Sequence, residues 1–142
     1  MASNKGRAYF GLSGYHFDPD MVTNFIGIEP TSVNNAGMSG SLDKPVISSW
    51  EFSTETINSD TQELDIYKLI DDEILKKIES SKDKIIEVCK THNLSPRLSV
   101  ELTLSIDKDE TAPDVGFGSR VTKFCAEIGA FINIDYKLSE RI

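Results

Sequence analysis

The residues that could carry acid–base, nucleophilic or metal chemistry are few in this sequence and form no recognisable motif. His16 lies just before Asp18 and Asp20, so an acid–base pair could form there. No serine or cysteine near His16 has the sequence context of a nucleophile. His92 is far away in the chain, and neither histidine is spaced from a cysteine as zinc ligands are. We therefore expect a protein that is not an enzyme and that binds no metal or cofactor.

The two cysteines indicate a reducing compartment rather than a reactive site. Cys89 and Cys125 each lie in a predicted helix among apolar neighbours, which is typical of buried free thiols. The first seven residues are polar and lack the apolar stretch of a signal peptide. No apolar run is long enough to cross a membrane. These features predict a cytoplasmic protein without a membrane partner.

An acidic loop after the third predicted strand resembles half of a calcium-binding loop. It contains Asp107, Asp109 and Glu110. It lacks the glycine and the later glutamate that calcium loops carry at defined offsets. We expect these carboxylates to be solvated loop charges.

A glycine-containing loop before the last predicted helix offers an alternative function. Backbone N–H groups at a helix start can bind an anion, and the residues placed to do so are Gly116, Gly118, Ser119 and Arg120. The long polar loop at residues 34–42 could join them in a small-molecule or anion-binding domain. The loop has neither the Gly-x-Gly-x-x-Gly pattern nor the lysine of a phosphate-binding loop. A tight turn into the helix is therefore the competing interpretation.

The charge balance favours a protein partner and argues against nucleic acid. The chain has 15 basic and 23 acidic residues, a net charge of −8, whereas phosphate contacts need clustered Lys and Arg. Residues 55–110 hold 14 acidic against 8 basic side chains, which is −6 of that total. An acidic surface attracts a basic protein. The predicted partner-binding residues are Glu63, Asp65, Asp71, Asp72, Glu73 and Glu79.

Apolar periodicity predicts an α+β fold in a single domain of residues 1–142. Four segments alternate between apolar and polar residues as strands with one buried face do; they cover residues 7–13, 46–54, 98–106 and 130–138. Trp50 is expected in the core. With helices between them, the order is β-α-β-(α)-β-α-β. This order predicts a four-stranded, mainly antiparallel, ferredoxin-like sheet with helices on one face.

Capping residues predict where the helices begin and end. Asp18, followed by proline, is a favourable N-cap for the first helix, and Gly27 is a favourable C-terminal residue. Ser119 is the predicted cap of the last helix and Gly129 its end. The long helical stretch between the second and third strands is expected to break at residues 80–81, where two serines follow each other.

Three short motifs resemble those of a known bacterial family. They are Tyr9-Phe10-x-Leu12-x-Gly14-x-x-Phe17-x-Pro19, Ile26-Gly27-Ile28-Glu29-Pro30-Thr31 and Ser49-Trp50. The chain is similar over nearly its whole length to the family catalogued as domain of unknown function 4279, whose name implies no activity. Small single-domain proteins of this kind resemble immunity proteins that are encoded beside secreted toxins.

Two functional hypotheses follow. The first is a non-catalytic, immunity-type inhibitor that neutralises a bacterial toxin domain through its acidic surface. The alternative is a domain that binds a small molecule or an anion through residues 34–42 and 116–120.

Overall fold

A mixed sheet with helices packed against one face forms the framework of the protein. The computed structural model describes residues 3–35, 47–106 and 111–139. In chain order its elements are β1 (Lys5–Tyr15), α1 (Pro19–Ile26), β2 (Ser32–Asn34), β3 (Ile47–Ser53), β4 (Ile57–Asn58), α2 (Ile66–Lys68), a π-helical turn (Leu69–Leu75), α3 (Lys76–Ile78), a 3₁₀ turn (Glu79–Ser81), α4 (Lys82–His92), β5 (Ser95–Leu104), α5 (Ser119–Ile128) and β6 (Phe131–Leu138).

The strand order confirms the α+β class but not the ferredoxin-like arrangement. The sheet runs β2-β3-β1-β5-β6, and the short β4 pairs with the start of β1. β1 is antiparallel to β3 and to β5, whereas β5 and β6 are parallel neighbours. The prediction of four mainly antiparallel strands was therefore wrong in strand number and order. The connection through α5 returns β6 directly beside β5, as a parallel pair requires, and no other strand is inserted between them.

The buried face of the sheet is built by the alternation that the sequence predicts. Phe10 pairs with Leu98 across β1 and β5, and Ala8 pairs with Val100. All four side chains are buried in one apolar cluster with the helices. Trp50 on β3 is fully buried beside Phe10, with the two rings edge to face at 6.5 Å between centroids. The predicted core position of Trp50 is confirmed.

Local capping chemistry sets the ends of α1. The Asp18 side chain accepts a hydrogen bond of 3.0 Å from the backbone N–H of Asp20, and Pro19 occupies the first turn. Gly27 ends the helix in the left-handed conformation at φ 76°, which costs glycine little because it has no Cβ. Both predicted boundaries of this helix are confirmed.

The last helix begins one residue earlier than predicted. Gly118, in extended conformation, is the N-cap of α5, and Ser119 is the first helical residue. No side chain caps this end of the helix. The other end is as predicted, with Gly129 left-handed at φ 72°. The expectation that Ser119 caps the helix was wrong because its backbone has already entered the helix.

Candidate functional site

The predicted acidic residues lie along one helical stretch, between the approach to α2 and the 3₁₀ turn. At its centre is the π-helical turn, in which Asp72 and Glu73 are exposed and Asp71 is half-buried. The turn begins with the buried apolar pair Leu69–Ile70 and ends with the buried pair Ile74–Leu75. The structure thus places three consecutive carboxylates between the two buried pairs, in the middle of the π turn.

The π geometry explains how this segment separates its apolar and acidic residues. The two buried pairs are five positions apart, and the backbone N–H of Lys76 donates to the carbonyl of Asp71, also five positions earlier. An i→i+5 turn holds more residues than an α-helical turn, so residues five apart fall on one side of the helix. Leu69–Ile70 and Ile74–Leu75 can then share the core side while residues 71–73 face outward. Apolar periodicity predicts a helix here, but it does not distinguish a π turn from an α-helical one.

Two of the six acidic residues form hydrogen bonds or ion pairs within the described chain, and Asp71 and Asp72 lie close enough to Arg120 to help raise its pKa. Asp65 caps α2 by accepting a hydrogen bond of 3.2 Å from the backbone N–H of Lys68. Glu79 forms a two-pronged ion pair with Arg120 on α5, at 3.0 Å from Nε and 2.6 Å from the terminal nitrogen. The hydrogen bond to Arg120 lowers the pKa of Glu79, and the same bond raises the pKa of Arg120.

Lysines also divide the acidic stretch. Lys68, Lys76 and Lys77 are exposed on the same helical segment. The continuous acidic surface is therefore smaller than predicted. It consists of residues 71–73 rather than all six predicted residues. We call these three residues the acidic turn.

The alternative anion site has a different local explanation in the structure. Gly116 lies under Tyr67, and a Cβ at this position would collide with the tyrosine hydroxyl. The glycine therefore has a packing role, since it leaves room for the Tyr67 ring. The guanidinium of Arg120 is engaged by Glu79, so it is not directed at the start of α5. Of the loop at residues 34–42, only residues 34 and 35 are described; Asn34 ends β2 and the rest lies outside the described residues.

The described residues do not bring the histidines and cysteines together into a site. His16 is exposed, in a left-handed backbone conformation at φ 56° after the end of β1. Within the described residues, no group of His, Cys, Asp and Glu could hold a metal ion. The predicted loop carboxylates Asp107, Asp109 and Glu110 lie outside the described part of the chain. Cys89 is half-buried and Cys125 buried, and both are free thiols.

A charged cluster on the open face of the sheet was missed by the sequence analysis. Arg7 donates to Glu51 at 2.7 Å and to Glu101 at 2.9 Å, which ties β1 to the strands on either side. The guanidinium also stacks on Tyr9, 4.8 Å from the ring centre. Partial burial tends to lower the pKa of Arg7, but the hydrogen bonds to Glu101 and Glu51 raise it overall. The sequence contains a signal for this cluster, because Arg7 and Tyr9 alternate along β1 with residues of the buried face and must therefore share the other face.

The described residues form an open groove at the surface and a nearly filled space in the core. A shallow groove of about 330 Å³ runs beside Arg7, between Lys5 and Lys137. The space enclosed between the sheet and the π turn is about 10 Å³ and is lined by apolar side chains and Cys125. That volume holds at most about one water molecule. The core space is therefore too small for an organic ligand, whereas the groove is open to solvent.

Comparison with known proteins places the chain in a family. The fold is an α+β sheet protein, and the family model described as Domain of unknown function (DUF4279) matches residues 4–139, nearly the whole chain. The chain belongs to this family. Comparison with curated proteins and with solved structures gave no match. Among the described residues, no helix is long and apolar enough to span a membrane.

Proposed function

We propose that this protein is a non-catalytic, cytoplasmic binding protein of the immunity type, which neutralises a basic toxin domain through the acidic turn. The observation that carries the proposal is the π-helical turn, because it groups Asp71, Asp72 and Glu73 between two buried apolar pairs, with Asp72 and Glu73 exposed. π turns within helices are frequently found at functional sites.

Electrostatics makes the acidic turn suited to rapid capture of a basic partner. The three carboxylates are adjacent in sequence, and within the described residues none of the ion pairs includes them. The whole chain, these carboxylates included, has a net charge of −8. Complementary charge accelerates encounter and confers strong dependence on salt. An inhibitor that must bind a toxin before it acts benefits from this acceleration.

The proposal is tested by binding to the product of the neighbouring gene. The variant Asp71→Lys/Asp72→Lys should weaken the complex about tenfold or more at low salt, mainly through slower association. Isothermal titration calorimetry measures the affinity, and stopped-flow fluorescence measures the association rate. The wild-type complex should also weaken as salt is added.

Two control variants separate the local effect from net charge and from structural damage. Asp60→Lys/Glu87→Lys changes the total charge equally at exposed positions outside the acidic turn and should have a much smaller effect. Asp71→Asn/Asp72→Asn removes the charge without placing a lysine near Arg120 and should give an intermediate loss. A missing tight complex, or one insensitive to salt and to both variants of the acidic turn, would contradict the proposal.

A further inference from the structure

The strand β6 is an exposed sheet edge with unusually apolar side chains. It pairs with β5 on one side through eight consecutive residues without a bulge, and in the described structure it ends the sheet on the other side. It contains no proline. Such an edge presents a row of unpaired backbone groups, and proteins normally protect long apolar edges. The five large apolar side chains of this strand are between 40% and 70% exposed; they are Phe131, Ile132, Ile134, Tyr136 and Leu138.

Register shows that most of these side chains belong to the layer of the core. Ile132 is beside Leu98 and Ile134 is beside Val100, with Tyr136 following on the same side. Leu98 and Val100 are buried under the helices, but their neighbours on β6 are not. The helix layer therefore stops short of the last strand. Another strand with its own helix layer, placed beside β6, would continue the core over these side chains.

We infer that the second half of β6, residues 134–138, pairs with the same residues of a second copy of this chain. An antiparallel pair related by a two-fold axis is self-complementary. If the axis passes at Tyr136, Asp135 of each copy lies opposite Lys137 of the other, on the open face of the sheet. Ile134 then lies opposite Leu138 on the apolar face. Opposite charges and apolar pairs directly across a ladder both stabilise it.

The side chains in the structure are available for this pairing. Asp135 accepts one hydrogen bond, of 3.0 Å, from Asn133, which leaves a carboxylate oxygen to accept another. Lys137 is exposed and takes part in none of the ion pairs among the described residues. Because of the two-fold symmetry, each dimer contains two ion pairs between Asp135 of one copy and Lys137 of the other. The acidic turn lies outside this interface, so the inference is independent of the proposed function.

Charge reversal in the full-length protein tests both the dimer and its register. The wild type should be a dimer by sedimentation-velocity ultracentrifugation, with a measurable dissociation constant. Asp135→Lys sets lysines opposite each other, and Lys137→Asp sets aspartates opposite each other. Each single variant should raise the dissociation constant about fivefold or more. Lys90→Asp, a charge reversal at an exposed position on α4, is the control and should leave it unchanged.

The decisive experiment mixes the two variants that are each expected to dimerise weakly. In a heterodimer of Asp135→Lys with Lys137→Asp, both cross-strand pairs are again opposite in charge, so equal amounts should recover dimer. Fluorescence of the buried Trp50, on a different strand, verifies that each variant is folded. A wild type that stays monomeric, variants that dimerise as well as the wild type, or a mixture that fails to recover dimer would each overturn the inference.

Discussion

At the scale of single residues, the stability of this fold depends on buried polar groups that find partners far away in the chain. Asn4 is an example: its side-chain amide donates to the carbonyl of Thr111 and accepts from the N–H of Ser105, both at 2.8 Å. It thereby joins the start of β1 to two points in the connection between β5 and α5. Such contacts matter because an unpaired buried polar group is costly.

Trp50 gives a direct measure of one such contact. Its Nε1–H donates to the Thr23 hydroxyl at 3.0 Å, which joins β3 to α1. Thr23→Val keeps the side-chain shape but removes the acceptor, so we expect a loss of about 1–3 kcal/mol in the free energy of unfolding. Thr23→Ser keeps the acceptor and should lose much less. Urea unfolding followed by the fluorescence of Trp50 measures both variants, and equal losses in the two would show that the hydrogen bond is not the cause.

At the scale of elements, the helices depart from regular α-helical geometry in one stretch and lack a side-chain cap at one end. The helical stretch from α2 to α4 changes from α to π and 3₁₀ geometry so that its apolar residues stay on the core side. α5 is well packed along its length, with Val121, Phe124 and Ile128 buried. Its first residue lacks a side-chain cap, which leaves a position where stability can be added.

Gly118 is the place to test the corrected start of α5. Its backbone is extended, as an N-cap requires, and a Cβ there would meet no atom within 4 Å. Gly118→Ser should cap the helix, whereas Gly118→Ala should not. We expect the serine variant to be more stable than the alanine variant by about 0.5–2 kcal/mol. Replacing glycine lowers the conformational entropy of the unfolded chain in both variants, so this effect cancels when the two are compared with each other.

Chemical denaturation of the two Gly118 variants provides the measurement. If Gly118 is the N-cap, the difference should appear in the midpoint with little change in the denaturant slope. Equal midpoints, or a more stable alanine variant, would mean that the helix begins at another residue.

At the scale of the whole molecule, burial of the two thiols links stability to alkaline pH. Desolvation raises the pKa of Cys89 and of Cys125 from 9.0 to about 11 in each case. The folded protein therefore holds these protons more tightly than the unfolded chain does. Their contribution to stability is fully present below pH 9 and is lost as the pH rises towards 11, because the unfolded chain releases its thiol protons first.

A pH series of unfolding measurements tests this linkage. The wild type should lose more stability between about pH 9 and 11 than the variant Cys89→Ala/Cys125→Ala, since lysine and tyrosine titration is common to both. Thermal unfolding by circular dichroism at each pH gives the comparison. Parallel pH curves for the two proteins would show that the thiols are not desolvated in solution. The same burial should make both thiols slow to react with Ellman's reagent in the native state.

The features that the sequence determined by itself are those set by residues close together in the chain. Asp18 and Gly27 mark the ends of α1, alternation marks the buried side of β1 and β5, and Trp50 is recognisably a core residue. Each depends on local backbone preferences or on the simple periodicity of one element. Short motifs in the sequence also indicate the family, and the match over residues 4–139 confirms it.

Only the tertiary structure decided how distant parts of the chain meet. Strand order, the pairing of Glu79 with Arg120, and the Arg7 cluster all join residues far apart in sequence, where local patterns carry no information. The π turn and the exposed side of β6 likewise depend on how far the helix layer extends over the sheet. Periodicity identifies which side of an element is apolar, but the neighbours that three-dimensional packing supplies determine whether that side is covered.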